Sequence, residues 1–243
     1  VTAWFVQTRV ELQLSLRQGE QLLVSLGIPL LVLVFFSLVD VLPVPDGFAE
    51  PVDFLTPGVL ALAVMSSAMV SLGIGTGFER QYGVLKRLGP TPLGRPRLIA
   101  AKVSMVLAIE VVQAVVLIGT ALSLGWRATG TDTALVVPAL VLGTAAFAGI
   151  GLLMAGTLRG TVTLALANGL YVVLLLLGGM IIPLDKLPAP VRSVAELLPA
   201  AALAETLTAA LTAGQSAGAK AWVVLTVWAV AAPVGAAALF RWE

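Results

Sequence analysis

Glu110 is an acid inside an otherwise apolar run, "VSMVLAIEVVQAVVLIGTAL", and Gln113 follows one helical turn later. Asn168 and Tyr171 repeat the pattern, three residues apart in "TLALANGLYVVLLLL". An ionisable group at that depth of a bilayer is costly and marks either a transport path or a bond to another helix. A path lined by Glu110, Gln113, Asn168 and Tyr171 would favour cationic or amphipathic cargo. The competing reading leaves Glu110 protonated or hydrogen-bonded to a neighbouring helix. Other chemistry has few residues to work with. With no Cys and no His, thiol nucleophiles, thiolate or imidazole metal ligands and His-dependent triads are excluded. No Gly-x-x-x-x-Gly-Lys-Ser/Thr loop is present to cradle nucleotide phosphates, so this chain is expected to bind no cofactor of its own. Net charge is +1, which offers nucleic acid nothing.

The elements that must carry these residues belong to a membrane. Of 243 residues, 59% are hydrophobic and 11% charged, where soluble domains hold roughly 45–50% and about 25%. About 20 apolar residues cross a bilayer as a helix. Six segments meet that length, at 22–41, 55–77, 103–124, 134–156, 161–182 and 221–240. The first is followed by "DVLPVPDG" and lacks the small-residue site of a cleaved signal. With both termini on the cytoplasmic side, ten Lys and Arg fall inside and four outside, the asymmetry that sets orientation. The chain is expected to be one all-α domain over 1–243. Its bias to Ala, Val, Leu, Gly and Arg hints at a GC-rich bacterial genome, and so at a multi-pass protein of a bacterial plasma (inner) membrane.

Residues 1–21 mix Trp4, Phe5, Val6, Val10, Leu12, Leu14 and Leu16 with Arg9, Glu11, Arg17 and Glu20, which predicts a helix lying in the interface. Four prolines, 183, 188, 190 and 199, divide the stretch after the fifth span. "APVRSVAELL" and "AALAETLTAALTAG" are each too short to span, so they predict outer helices that lie on or dip into the membrane against protein. Gly178, Gly179 and Pro183 fit either a break in the fifth span or its plain end. The second span carries Ala63, Ser67, Ser71 and Gly75 at i+4 steps, and Gly73 with Gly77, a packing face for a helix of this chain ahead of a dimer seam.

The stretch "FERQYGVLKRLGPTPLGRPRLIAAK", residues 78–102, holds six of the fourteen Lys and Arg. Tyr82, Leu85 and Leu88 share a helical face, Arg80, Lys86 and Arg87 take the others, and Gly89–Pro90 stops the helix. "TPLGRPR" then turns the chain and "LIAAK" leads into the third span. The basic loop anchors topology, but an anchor needs no apolar face. That face points to a docked partner or to a helix lying on the membrane.

This loop resembles the cytoplasmic segment of type-2 ATP-binding-cassette (ABC) transporter permeases, in which an acid leads into a Tyr-Gly-x-Leu-x-x-Leu helix, then Thr-Pro and a basic turn. Glu79, Tyr82, Gly83, Leu85, Leu88, Thr91, Pro92, Arg95 and Lys102 stand at those places. The outer "IIPLDKLPAPVRSVAELLP", with Glu205 beyond it, is similar to the family's Pro-Leu-x-x-Leu-Pro and later Leu-Pro. Where many relatives carry a bulkier aromatic stretch, this chain has "AAALAET". The resemblance implies the membrane subunit of an exporter, with six spans, an interfacial N-terminal helix, a cytoplasmic coupling helix and short re-entrant outer helices. It implies a coupling-helix contact through Glu79, Arg80, Tyr82, Gly83, Leu85, Lys86 and Leu88 with a separate ABC ATPase subunit that holds ATP and Mg. A second permease copy or paralogue, surrounding lipid and an outer gate near Pro183, Leu187, Pro188 and Glu205 are implied with it. Only fifteen aromatics are present, few of them mid-span, which favours a drug or lipid over a polysaccharide or lipid-linked glycan as cargo. An ion-coupled carrier or channel working without an ATPase is the alternative from another class.

Overall fold

The computed structural model describes residues 2–17, 19–39, 47–88, 94–128, 130 and 132–240. Among them the chain is helical throughout, with no strand. Helix α1 is Thr2–Arg17 and α2 is Gly19–Leu38. Next come α3 (Pro51–Val64), a π-helical segment (Met65–Ser71) and α4 (Leu72–Gln81), which run on as one 31-residue helix. The short α5 is Val84–Leu88, α6 is Gly94–Ser123, α7 is Thr133–Thr157 and α8 is Gly160–Leu177. A 3₁₀ turn at Leu184–Lys186 precedes α9 (Ala189–Ala195), α10 (Pro199–Leu211) and α11 (Ala219–Leu239).

Among the described residues, five helices are long and apolar enough to cross a membrane: Pro51–Gln81, Arg97–Ser123, Ala134–Thr157, Gly160–Leu177 and Ala219–Leu239. The remaining expected span is α2, whose apolar part is the shorter Leu23–Leu38. The α3–α4 helix is the hub: 78% of its apolar window is buried, against 17% for α11. The outer faces of α6, α8 and α11 expose Val111, Val115, Val172, Val173, Val227 and Val230. In water such faces would aggregate, whereas lipid solvates them.

Small residues set the closest crossings. A Cβ on Gly73 would stand 3.0 Å from the Gly151 Cα, so α4 and α7 touch backbone to backbone. Gly77 lies beside Thr163 of α8, so both glycines pack helices of this chain, as expected. Gly75 differs, with nothing within 4 Å of where its Cβ would be.

Three boundaries depart from the sequence expectation. The helix expected to run unbroken through 78–88 stops at Gln81, because Gly83 adopts φ +72 and turns the chain before α5. Residues Gly94–Arg97, expected as part of a turn, begin α6; Pro96 is tolerated there because first-turn N–H groups need no helical partner. The fifth span ends plainly at Leu177, with Gly179 at φ +68 in the turn that follows. The expected stop at Gly89–Pro90, the Thr91–Pro92 pair and the end of the first span at 40–41 lie outside the described residues. So do the side chains of Leu88 and Arg95.

Candidate functional site

Helices α1, α4 and α6 meet at three charged side chains. The Lys102 Nζ lies 3.1 Å from Glu11 Oε2 and 2.7 Å from Glu79 Oε2. Gln7 Nε2 donates to the other Glu11 oxygen at 2.8 Å. The Lys102 and Glu11 side chains are 4% and 7% exposed, and Glu79 is 29% exposed. Helix α1 buries Glu11 and packs Leu12 on the core, while Phe5, Val6 and Val10 are exposed and Leu14 borders the crevice. Among the described residues, two carboxyls share one ammonium here.

The segment after α4 is tied down on one side and open on the other. The Arg80 guanidinium donates to the carbonyl oxygens of Gly156 and Leu158, the latter at 2.8 Å, where α7 ends. Gln81 Oε1 accepts the Gly160 N–H at 3.0 Å and so caps α8. Leu85 is buried against Leu98, with Phe240 packed on both. Tyr82 is 70% exposed and stacks on Phe78, with ring centroids 6.1 Å apart. Val84, Lys86 and Arg87 are exposed too. Of the residues expected to meet a partner, Tyr82 and Lys86 face outward, Gly83 makes the bend, and Glu79, Arg80 and Leu85 are turned into the bundle. The apolar face expected from Tyr82 and Leu85 together is therefore split.

Deeper in the bundle, Glu110 is 8% exposed and clasps three spans. Ser67 Oγ of the π-helical segment donates to its Oε1 at 3.2 Å, and Thr144 Oγ1 of α7 to its Oε2 at 2.6 Å. Gln113 donates through Nε2 to Ser25 Oγ of α2 at 3.2 Å, while its Oε1 is buried without a hydrogen bond. Asn168 is exposed and donates back to the Leu164 carbonyl of its own helix. Tyr171 points the other way, 6% exposed, so the two do not act as a pair.

Between α1, α2, α4 and α6 runs a crevice of about 580 Å³. Its charged end is the Glu11–Lys102–Glu79 cluster, and Ser25, Ser67 and Ser71 line it farther in. The profile of the ABC-2 type transporter family matches residues 2–212. The chain belongs to this family. It is a multi-pass membrane subunit of an ABC transporter, from a family of transport rather than catalytic domains, which associates with an ABC ATPase subunit. No curated protein matches the chain.

The opposite end of this ABC-2 subunit is built from α9 and α10, which meet at 81°. Helix α10 is buried along most of its length against α3, α7 and α11. Pro183 opens the 3₁₀ turn, and Leu187 and Pro188 lead from it into α9. Glu205 is exposed, and its Oε1 accepts the Gly218 N–H at 3.0 Å, which caps α11. Pro183 and Glu205 share a small pocket of about 240 Å³, which Leu187 and Pro188 do not line. Nearby, hydrogen bonds from Lys220 and Arg192 hold the Glu196 carboxyl below its ordinary range.

Sequence reasoning missed Glu11, Ser67 and Thr144 as partners of the buried charges. Ser67 had a signal in the i+4 stripe of small residues. Glu11 and Thr144 had none, because their partners are 91 and 34 residues away.

Proposed function

We propose that the chain is the channel-forming half of an ATP-driven exporter, and that Tyr82, Val84, Lys86 and Arg87 form the surface on which a separate ATPase subunit pushes. The observation that carries this is the two-sided build of residues 79–88. Arg80, Gln81 and Leu85 fasten the segment to α7, α8 and the end of α11, while the other side of the same few residues is open. A push on such a segment reaches several spans at once. The ATPase holds ATP and Mg, and this chain contributes no nucleotide chemistry.

In this reading α5 is the coupling helix, α2 is the first of six spans, α1 lies in the interface, and α9 and α10 are the outer re-entrant pair. The membrane is a bacterial inner membrane, with both termini inside, as the distribution of Lys and Arg asks. Two copies, or this chain with a paralogue, make the pathway. The exposed apolar faces of α6, α8 and α11 supply enough surface for both lipid and a second copy. The cargo is a hydrophobic or amphipathic small molecule, and Pro183, Leu187, Pro188 and Glu205 border its outer exit. Glu110 acts as a clasp between spans, whereas Gln113 stands next to the crevice through Ser25.

The test is co-purification in mild detergent of the chain with the proteins encoded beside its gene. An ATPase subunit is expected to copurify with the parent and to be lost from Tyr82→Ala/Lys86→Glu/Arg87→Glu, which alters exposed side chains, of which Tyr82 alone also borders the crevice. A correctly folded parent that retains no ATPase would refute the reading.

A further inference from the structure

The crevice between α1, α2, α4 and α6 has features that a packed helix junction does not need. Its volume of about 580 Å³ falls within the roughly 300–1,000 Å³ of small-molecule sites. The i+4 stripe of α4 and its π-helical segment, Ser67, Ser71 and Gly75, lines this space, even though Ser67 also bonds Glu110 of α6. The Gly75 Cα borders open space, since no atom lies within 4 Å of where a Cβ would be. Thr76 lines the same wall; it is 2% exposed and its hydroxyl has no hydrogen-bond partner. Leu72, Met105, Val106 and Ile109 supply an apolar lining. At the charged end, Glu11 and Glu79 oppose the single ammonium of Lys102. Among the described residues two carboxyls there face one ammonium, so the acids have oxygen acceptors to spare for a further cationic group.

From this we infer that the crevice is a binding site for monocationic amphipathic molecules. The cationic group sits by Glu11 and Glu79, and the apolar body lies against Gly75, Leu72, Met105 and Val106. The inference rests on the transporter reading and names its substrate class. It moves the preference for cations from Glu110, whose oxygens are both occupied by hydroxyl donors, to the carboxyl pair at the crevice end. Without Cβ atoms at Gly75, and with only hydroxymethyl groups at Ser67 and Ser71, α4 leaves a channel-like strip that a rigid ring system can fill.

Rhodamine 6G is the probe, titrated by fluorescence polarisation against the full chain in nanodiscs. A neutral rhodamine of the same ring system, in its closed spirolactam form, is titrated by competition. Saturable binding of the cation is expected, with the neutral form weaker by about tenfold or more, the response to one lost charge-assisted contact. Gly75→Leu fills the strip without touching the charged cluster and is expected to abolish binding at unchanged thermal stability. Should Gly75→Leu not fold, Leu14→Trp narrows the same crevice from the largely exposed α1 side and is expected to weaken binding. Equal affinity for the neutral form, or undiminished binding by a folded crevice variant, would overturn the inference. A parent that retains its ATPase but binds no rhodamine 6G sinks this site and leaves the exporter reading standing. A parent that binds the dye at the Gly75 wall but retains no ATPase does the reverse.

Discussion

Lys102→Met keeps the apolar stem of the side chain and removes the ammonium between Glu11 and Glu79. Two carboxyls from different helices then face one another with no cation, one of them 7% and the other 29% exposed. Removing one partner of a buried ion pair costs about 3–5 kcal/mol, because the remaining charge stays desolvated. Exposure of Glu79 relieves part of that through solvent, so about 3 kcal/mol is the expected loss. For a chain of this length each kcal/mol moves the midpoint by about 2–4 °C, so thermal unfolding in nanodiscs should fall by about 6–12 °C. The loss should concentrate at α1, which α6 holds partly through this contact, so limited trypsin digestion should cut after Arg9 sooner than in the parent. Replacing the whole cluster, Glu11→Gln/Glu79→Gln/Lys102→Met, should return more than half of the lost stability, since a buried ionic cluster contributes little over a neutral one of the same shape. A Lys102→Met protein within about 1 kcal/mol of the parent, or a triple variant no better than the single, would refute the argument.

Three further outcomes follow from the same packing. Arg80→Ala removes the donors to Gly156 and Leu158 and should cost about 2–4 kcal/mol, read as faster proteolysis in the turn at 156–160. Glu110→Gln should cost less than about 1 kcal/mol and leave transport intact, because the Ser67 and Thr144 hydroxyls are also within reach of the Ala63 and Leu140 carbonyls and can turn their one hydrogen to them; lost transport by a stable Glu110→Gln protein would return Glu110 to the cargo path. Gly151→Leu would drive a Cβ to 2.7 Å from the Met69 carbonyl oxygen and should lower stability by about 1–3 kcal/mol or more, measured by thermal unfolding.

What the sequence showed well were features written in contiguous residues. Apolar runs located the helices from α3 onward, with the start of α6 missed by nine residues and the end of α8 by five, and proline spacing gave α9 and α10. The composition of 78–102 marked the segment that stands at the cluster of charges. Facing directions were harder. Helical spacing put Tyr82 and Leu85 on one face, but the bend at Gly83, whose φ is +72, separates them, and a glycine is as free to continue a pattern as to turn it. The i+4 stripe of α4 was legible as small residues, yet a stripe that packs and a stripe that lines a crevice have the same letters. Gly73 meets Gly151 while Gly75 meets space. Glu11 looked like one polar residue of an interfacial helix, because its ion pair is with a lysine on another helix 91 residues away.

The most direct test of the account is transport into inside-out vesicles that contain the chain with or without its ATPase subunit, using rhodamine 6G as cargo. Accumulation that requires ATP and both subunits, that survives collapse of the proton gradient, and that fails in Tyr82→Ala/Lys86→Glu/Arg87→Glu is the predicted result. Accumulation by this chain alone, driven by an ion gradient and indifferent to ATP, would contradict it and make the protein a carrier.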